Sequence, residues 1–563
     1  MVRKDMRKIK VIIAALLVLL SGCQKKEEAP KDDRILSVET SKTEDGGTIS
    51  SFVIDEHAIY IYAPEDIMHG DVINYGYSAP LLIVFADGKL DEKQAVSFIR
   101  EKGIDKPAQK NGGFVVFVNP IRDWKSEDEG IYEKILAKTM VAQSGFAHGL
   151  VHDERSGEYF VFASPAKTVL YGYGKGADYI AKHYLKNVSG TSSMSSLGSD
   201  DITVTAAMLE KLNEKPQIES DEIIVICKDT IFNTEQTQGD HIIYSDESFD
   251  VIYDEYIAGF QRWNGKVTEA FDIKKAGMAM EPLLFEAETS ADNRAVKEAS
   301  YELGAVVFCK KDSEKKKRPL LLCFHGGGDT AIATATIAGW PQIAAEEDLI
   351  LCAIEMHTRT TASETMEVVE QLKQFYDIDE SRIYATGFSM GGIKTWDLFQ
   401  EYPESFAALA PMGATVDVGK NTQFSDAPAL NREVSVPLFY SGGENSPLGE
   451  LPFQNYVCVS RIKYLFEVNR IDMPFDASYG NREEWSDAVY MFAADEKEDL
   501  HDASNPGSTT TIRYYRSDDG KIYTALCSIS KHQHEIRPFT CRQAWDFMKR
   551  FSRVDGKIVI HEE

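Results

Sequence analysis

The stretch Gly387-Phe388-Ser389-Met390-Gly391 restricts the local backbone more than any other part of this chain. It follows the apolar run Ile383–Ala385 and precedes a helical pattern from Ile393 to Phe399. A serine between strand and helix sits on a sharp, strained turn that pushes its hydroxyl out above the sheet. The flanking glycines are needed because a side chain there would run into the neighbouring strand or helix. Such a turn implies a layered α/β unit around it.

Two apolar runs frame the turn. Upstream, Pro319 to Phe324 is continuously apolar, as expected of a strand buried on both faces, and ends in His325-Gly326-Gly327-Gly328. A glycine run after such a strand exposes backbone N–H groups. Gly326 and Gly327, together with the N–H of Met390, are the candidate donors to an oxyanion. Downstream, Val436 to Tyr440 reads as another buried strand and leads into Ser441-Gly442-Gly443-Glu444-Asn445. A carboxylate just past this strand is the candidate acid. Glu444 is the first choice, Glu450 the second, and Asp472 or Asp476 in the following segment remain open.

Late strands at Thr510 to Tyr515 and Ile522 to Ile529 lead to Lys531-His532-Gln533-His534-Glu535. A helix with the apolar stripe Ala544, Trp545, Phe547, Met548 and Phe551 follows. A histidine between last strand and last helix can reach back over the sheet, and His534 is preferred to His532. The chain order serine, acid, histidine fits a nucleophilic triad. In that triad His534 takes the Ser389 proton and returns it to the leaving group, while the acid fixes the imidazole. The pattern His-x-His-Glu also fits metal ligation, but no third group of ligands accompanies it, so no metal is expected.

The run Asp377-Ile378-Asp379-Glu380-Ser381-Arg382-Ile383-Tyr384-Ala385-Thr386-Gly387-Phe388-Ser389-Met390-Gly391-Gly392 resembles the elbow region of polyhydroxybutyrate-depolymerase and feruloyl-esterase-like α/β hydrolases. His325-Gly326-Gly327 and the His534 helix match the same group. The resemblance covers roughly 285–563. It implies an α/β-hydrolase fold, serine esterase chemistry and no cofactor. The family usually carries an aspartate where this chain has Gly-Gly-Glu-Asn. Residues 451–510 look inserted and are expected to form a lid or substrate wall, with Trp340, Trp485 and Tyr479 as candidate pocket residues beside the loops after Gly328 and around His357 to Thr361.

The first half parallels the second. Pro80 to Gly88 matches Pro319 to Gly327 position for position, and Val169 to Gly176 matches Tyr384 to Gly391 in its glycine frame. Gly174 stands where Ser389 stands, and Ala86 where His325 stands. Phe114 to Val118 parallels Leu349 to Ile354, and Ile223 to Cys227 lies at nearly the spacing of Val436 to Tyr440. The expectation is a duplicated fold whose first copy, 35–270, lacks a nucleophile, with the catalytic copy at 285–563. In the second half strands are expected near 305–309, 319–324, 349–355, 382–386, 406–411, 434–440 and 510–529. Helices are expected near 363–376, 391–402 and 541–552. Their alternation points to a doubly wound, mainly parallel sheet.

The front of the chain has its own pattern. Arg3, Lys4, Arg7, Lys8 and Lys10 precede the apolar core Val11 to Leu20, too short to span a bilayer and of signal-peptide form. Leu20-Ser21-Gly22-Cys23 resembles a bacterial lipobox, which implies cleavage after residue 22 and lipidation of Cys23. Residues 23–34 would form a polar tether, and the lipid would hold the protein to the membrane from outside the cytoplasm. The formal net charge is −28, and residues 1–22 carry five basic residues and one acid, so the remainder stands near −32. That balance disfavours nucleic acid and anionic lipid surfaces as partners. Of eight cysteines, seven remain beside Cys23, and Cys309, Cys323 and Cys352 in apolar runs read as buried thiols.

The leading expectation is a lipid-anchored serine esterase taking a small or polymeric ester. A serine peptidase on the same fold is the near alternative, and a surface-binding lipoprotein the more distant one.

Overall fold

The structure, a computed structural model, describes residues 39–64, 80–111, 113–125, 128, 130–131, 167–185, 204–216, 223–233, 242–263, 266–290, 296, 299–311, 316–327, 331–355, 360–414, 431–472 and 481–561. The expected signal peptide, Cys23 and the tether lie outside the described residues, as do Gly328, Asp476 and Tyr479. Among the described residues no helix is long and apolar enough to cross a membrane.

Two large sheets organise the described residues. The first contains β1 (Glu39–Lys42), β2 (Thr48–Ile54), β3 (His57–Ala63), β4 (Leu81–Phe85), β5 (Phe114–Val118), β6 (Thr168–Tyr173), β7 (Ala206–Glu210), β8 (Ile224–Cys227) and β9 (Ile242–Tyr244). Their order is β1-β2-β3-β5-β4-β6-β7-β8-β9. Pairing is antiparallel as far as β3–β5 and parallel from β5 to β9. A hairpin of β10 (Phe260–Trp263) and β11 (Lys266–Glu269) follows.

The second sheet contains β12 (Met278–Glu288), β13 (Ser300–Lys310), β14 (Arg318–Phe324), β15 (Ile350–Ile354), β16 (Ile378–Phe388), β17 (Ala408–Met412), β18 (Leu438–Gly443), β19 (Glu496–Leu500), β20 (Thr510–Arg516) and β21 (Ile522–Ile529). Their order is β12-β13-β15-β14-β16-β17-β18-β21-β20-β19. The strands from β15 to β21 run parallel. A final hairpin joins β22 (Phe551–Val554) to β23 (Lys557–Ile560).

The two orders superimpose strand for strand, β2 to β9 on β12 to β18 and β21. The first sheet adds β1 outside, and the second adds β20 and β19. Register agrees as well. Phe85 lies opposite Gly172 and Val118, and Phe324 lies opposite Gly387 and Ile354. In both, the first connection crosses over so that the third strand occupies the centre and points its carboxyl end at the crevice where α/β sheets place their ligands. The described residues thus hold the same doubly wound, mainly parallel strand order twice.

The central strands are apolar because both faces are covered. All residues of β4, β5, β14, β15 and β17 are buried. Separate apolar clusters line the two faces of each sheet. At roughly 1.5–3 kcal/mol for each fully buried large apolar side chain, these layers supply the main drive to fold.

Several expectations change here. β12 begins at Met278, upstream of residue 285. The last helix, Pro538–Met548, stops short of 552, and Phe551 instead opens β22 with its ring in the core. The described residues of 451–510 are part of the body, not a lid. Its helix Tyr456–Val468 buries Ile462, Leu465 and Phe466 in the same cluster as the sheet, and β19 extends the sheet edge. Trp340 is fully buried in the core and lines no pocket, and Trp485 is half-buried against the core cluster on the other face of the sheet.

Candidate active site

The elbow forms as its residues require. Ser389 caps the helix Met390–Glu401 with φ 54° and ψ −113°, a left-handed strain for a residue with a β-carbon. Its N–H donates to Met412 O at 2.9 Å, which ties the turn to β17. A β-carbon on Gly391 would lie 2.2 Å from Phe324 O, and one on Gly387 would lie 2.2 Å from Gly391 O. Only glycine permits that approach.

The glycine loop after β14 passes close by. A β-carbon on Gly326 would be 3.6 Å from Ser389 Cβ and 3.4 Å from the Phe388 ring. Gly326 is buried and Gly327 is exposed. Beneath them His325, 1% exposed, has Nδ1 2.7 Å from Gly326 O and Nε2 3.1 Å from Glu355 Oε1. Glu355, at the end of β15, also accepts from Ala331 N at 2.7 Å.

The histidine loop follows β21. His534 packs its ring on Phe388, the residue before the serine, with centroids 4.6 Å apart. Its Nδ1 bonds Glu450 Oε1 at 2.5 Å. No direct Ser389–His534 hydrogen bond is formed among the described residues; in an unliganded site such bonds are commonly long and tighten when substrate binds. Glu450 is 3% exposed and accepts two further bonds, from Gly443 N at 2.7 Å and Ser446 Oγ at 2.6 Å. The hydroxyl of Tyr440 on β18 donates to Glu450 O at 2.7 Å and anchors the loop.

The carboxylate at His534 is therefore Glu450, not Glu444. Glu444 N donates to Ile529 O at 2.9 Å, which prolongs the β18–β21 ladder by one residue. That pairing sends its side chain across to Ser528, whose Oγ donates to Glu444 Oε1 at 3.0 Å. Asp472 is exposed beyond the helix Tyr456–Val468 and makes no contact with His534. Glu450 reaches the imidazole because the turn at Ser446 and a left-handed Gly449 (φ 68°) folds the chain back toward β18.

His532 serves the loop instead. It is 2% exposed, with Nδ1 3.0 Å from Glu535 Oε1 and Nε2 3.0 Å from Glu535 O. Burial would raise the Glu535 carboxyl, but His532 and Arg537 outweigh it and hold it below its usual range. His532 O also accepts from Asn445 N at 2.9 Å, which joins the histidine loop to the acid loop.

The first copy keeps the elbow and fills it. Gly174 has φ 59° and ψ −125°, and its N–H donates to Glu210 O at 2.9 Å, as Ser389 does to Met412. A β-carbon on Gly176 would lie 2.2 Å from Phe85 O. Asp87 stands where Gly326 stands, and its Oδ1 accepts the N–H of Lys175, the counterpart of Met390, at 2.9 Å. After β9 a short helix, Phe249–Ile252, continues into a wide turn to Ile257, and residues 245–257 contain no histidine.

The seven described cysteines are buried, and none forms a disulfide with another of them. Burial pushes the Cys227 thiol up to about 11 and Cys527 to about 12, so neither is a ready nucleophile. Among the described residues no group of three or more histidine, cysteine or acidic side chains is placed to hold a metal ion.

No family model matches the chain. It is 22% identical over 250 residues to a bifunctional acetylxylan esterase/xylanase from Neocallimastix patriciarum, covering 43% of this chain and 32% of that protein. It thus spans about a third of the length of that curated relative. Among solved structures, a thermostable esterase aligns with 23% identity and a TM-score of 0.23, over 33% of this chain and 50% of that one. An acetyl xylan esterase from Aspergillus awamori aligns with 13% identity and a TM-score of 0.32, over 47% of this chain and 99% of that one.

Proposed function

We propose that the second half of the chain is a serine hydrolase of carboxylic esters, with Ser389 as nucleophile, His534 as base and Glu450 as the acid. The observation that carries this reading is the Glu450–His534 hydrogen bond, set against Phe388 beside a strained elbow serine. His534 accepts the Ser389 proton as the oxygen attacks the ester carbonyl. Glu450, supplied with three hydrogen-bond donors, holds the Nδ1–H tautomer and balances the imidazolium. The N–H groups of Gly326, Gly327 and Met390 face the oxyanion, and each such donor contributes a factor of about 10²–10³ in rate. His534 then protonates the leaving alcohol, and water reverses the sequence on the acyl-enzyme.

The ester is small or polymer-borne, such as acetyl or feruloyl on plant polysaccharide; the relative named as an acetylxylan esterase/xylanase supports the acetyl choice. Lipidation of Cys23 would place the enzyme on the outer face of the membrane. The first copy, with no serine at its elbow and Asp87 on the elbow N–H, performs no acyl transfer.

A fluorophosphonate probe tests the reading. Labelling that disappears in Ser389→Ala is expected, and absence of labelling in the wild type would overturn it. Acetyl, feruloyl and p-nitrophenyl esters assayed beside peptide amides separate esterase from peptidase. Fractionation of Cys23→Ala tests the anchor, which predicts release from membranes.

A further inference from the structure

We infer that His325 and Glu355 form a positioning pair for the oxyanion loop, present because the copy is catalytic and not because the fold requires it. The inference rests on the serine-hydrolase reading above. Glu355 reaches in two directions: its Oε1 lies 3.1 Å from His325 Nε2, and its Oε2 accepts from Ala331 N at 2.7 Å. It thereby joins the ends of β14 and β15 to the start of the helix Ala331–Ile337. Each nitrogen of the buried His325 ring has an oxygen beside it, Gly326 O at 2.7 Å from Nδ1 and Glu355 Oε1 at 3.1 Å from Nε2.

The effect on the loop follows from peptide geometry. The carbonyl and N–H across a trans peptide point to opposite sides. His325 Nδ1 holds Gly326 O inward at 2.7 Å, so the N–H of Gly327 turns outward, away from the core. A glycine run has no side chains to set that orientation, and without a clamp the peptide plane rotates freely. The pair thus sets the direction of one donor without touching substrate.

The chain holds its own comparison. Val118 and Ile354 occupy one register, so Asn119 is the counterpart of Glu355. The backbone there is the same: Glu355 N donates to Gly304 O at 2.9 Å and Asn119 N to Ala58 O at 3.0 Å. The His325 position holds Ala86. Asn119 turns instead to Leu90 N, at 2.8 Å. The first sheet therefore assembles in the same strand order with alanine and asparagine at these sites, in the copy that also lacks the serine. Both halves of the pair are absent together with the nucleophile while the fold remains.

The test uses the full chain with Glu355→Gln and the double variant H325A/E355N, which installs the first copy's residues. Both should fold, with thermal unfolding as cooperative as the wild type. Ester turnover should show kcat reduced about tenfold to a hundredfold, below the loss from deleting a donor outright, with KM changed less than about threefold. Inhibition by an alkyl trifluoromethyl ketone, whose serine adduct carries the same oxyanion, should weaken in proportion. The double variant should lose about as much as the single one, because the two residues act as one unit. Wild-type kcat in either folded variant would overturn the inference, as would a loss confined to KM. A wild-type enzyme unlabelled by fluorophosphonate would overturn the underlying reading instead.

Discussion

Asp87 Oδ1 accepts the backbone N–H of Lys175 at 2.9 Å, so the first elbow carries a carboxylate on the N–H whose counterpart in the second copy is that of Met390. Gly174 and Asp87 stand together in the first copy where the second has Ser389 and Gly326. A β-carbon on Gly174 would lie 2.3 Å from Asp87 Oδ1. The aspartate can sit there because the serine is gone.

Replacement of Gly174 by serine should therefore create no second active site. It should displace Asp87 and cost roughly 1–3 kcal/mol in the first unit through the lost Lys175 bond. Thermal unfolding checks the cost, and D87G/G174S should recover part of it. Fluorophosphonate labelling should stay confined to Ser389, since no histidine lies in residues 245–257.

Glu450 and Glu444 should separate cleanly in kinetics. Glu450→Gln leaves the shape but removes the charge that balances the imidazolium, and kcat for ester hydrolysis should fall by about 10²–10⁴. Glu444→Gln keeps an acceptor for Ser528 and should stay within about threefold of wild type. Steady-state assays at neutral pH decide between them.

Gly391→Ala tests the elbow's packing. The added methyl would meet Phe324 O at 2.2 Å, a backbone atom with no room to yield. A loss of about 3 kcal/mol or more is expected, together with loss of labelling at Ser389. Denaturant unfolding measures the first and the probe the second.

Asp487 sets a limit on acid stability. Burial would raise its carboxyl, but the Arg513 side chain at 2.7 Å and the N–H groups of Tyr490 and Val489 outweigh that and hold it below its usual 3.8. A lowered carboxyl stabilises the fold above the unfolded value and ceases to do so as pH falls through the folded one. The contribution is therefore full above about pH 4 and fades below it. Asp487→Asn should lower stability at neutral pH by about 3 kcal/mol, since Arg513 is left buried and unpaired, and should flatten the decline below pH 4. Unfolding curves from pH 3 to 7 measure both effects.

Local chemistry made most of the site readable. The elbow needs glycine at 387 and 391 for contacts within a few residues of Ser389, so five letters specify it. The apolar runs before Gly326 and Glu444 mark strands buried on both faces, and their spacing exposes the repeated fold. Phe551 reads as part of the last helix but opens β22, because an apolar residue at helical spacing reads the same whether the helix continues or a buried strand begins.

The sequence by itself determined the serine, the glycine loop, the histidine loop and the two parallel copies, because each rests on interactions among near neighbours. Only the tertiary structure decided which carboxylate meets His534. The extra rung from Glu444 N to Ile529 O turns that side chain to Ser528, and the folded-back turn at Ser446 and Gly449 brings Glu450 beneath the imidazole. Contacts between residues 84 positions apart in sequence, as Glu450 and His534 are, depend on how β18 and β21 align, and no local pattern records that alignment.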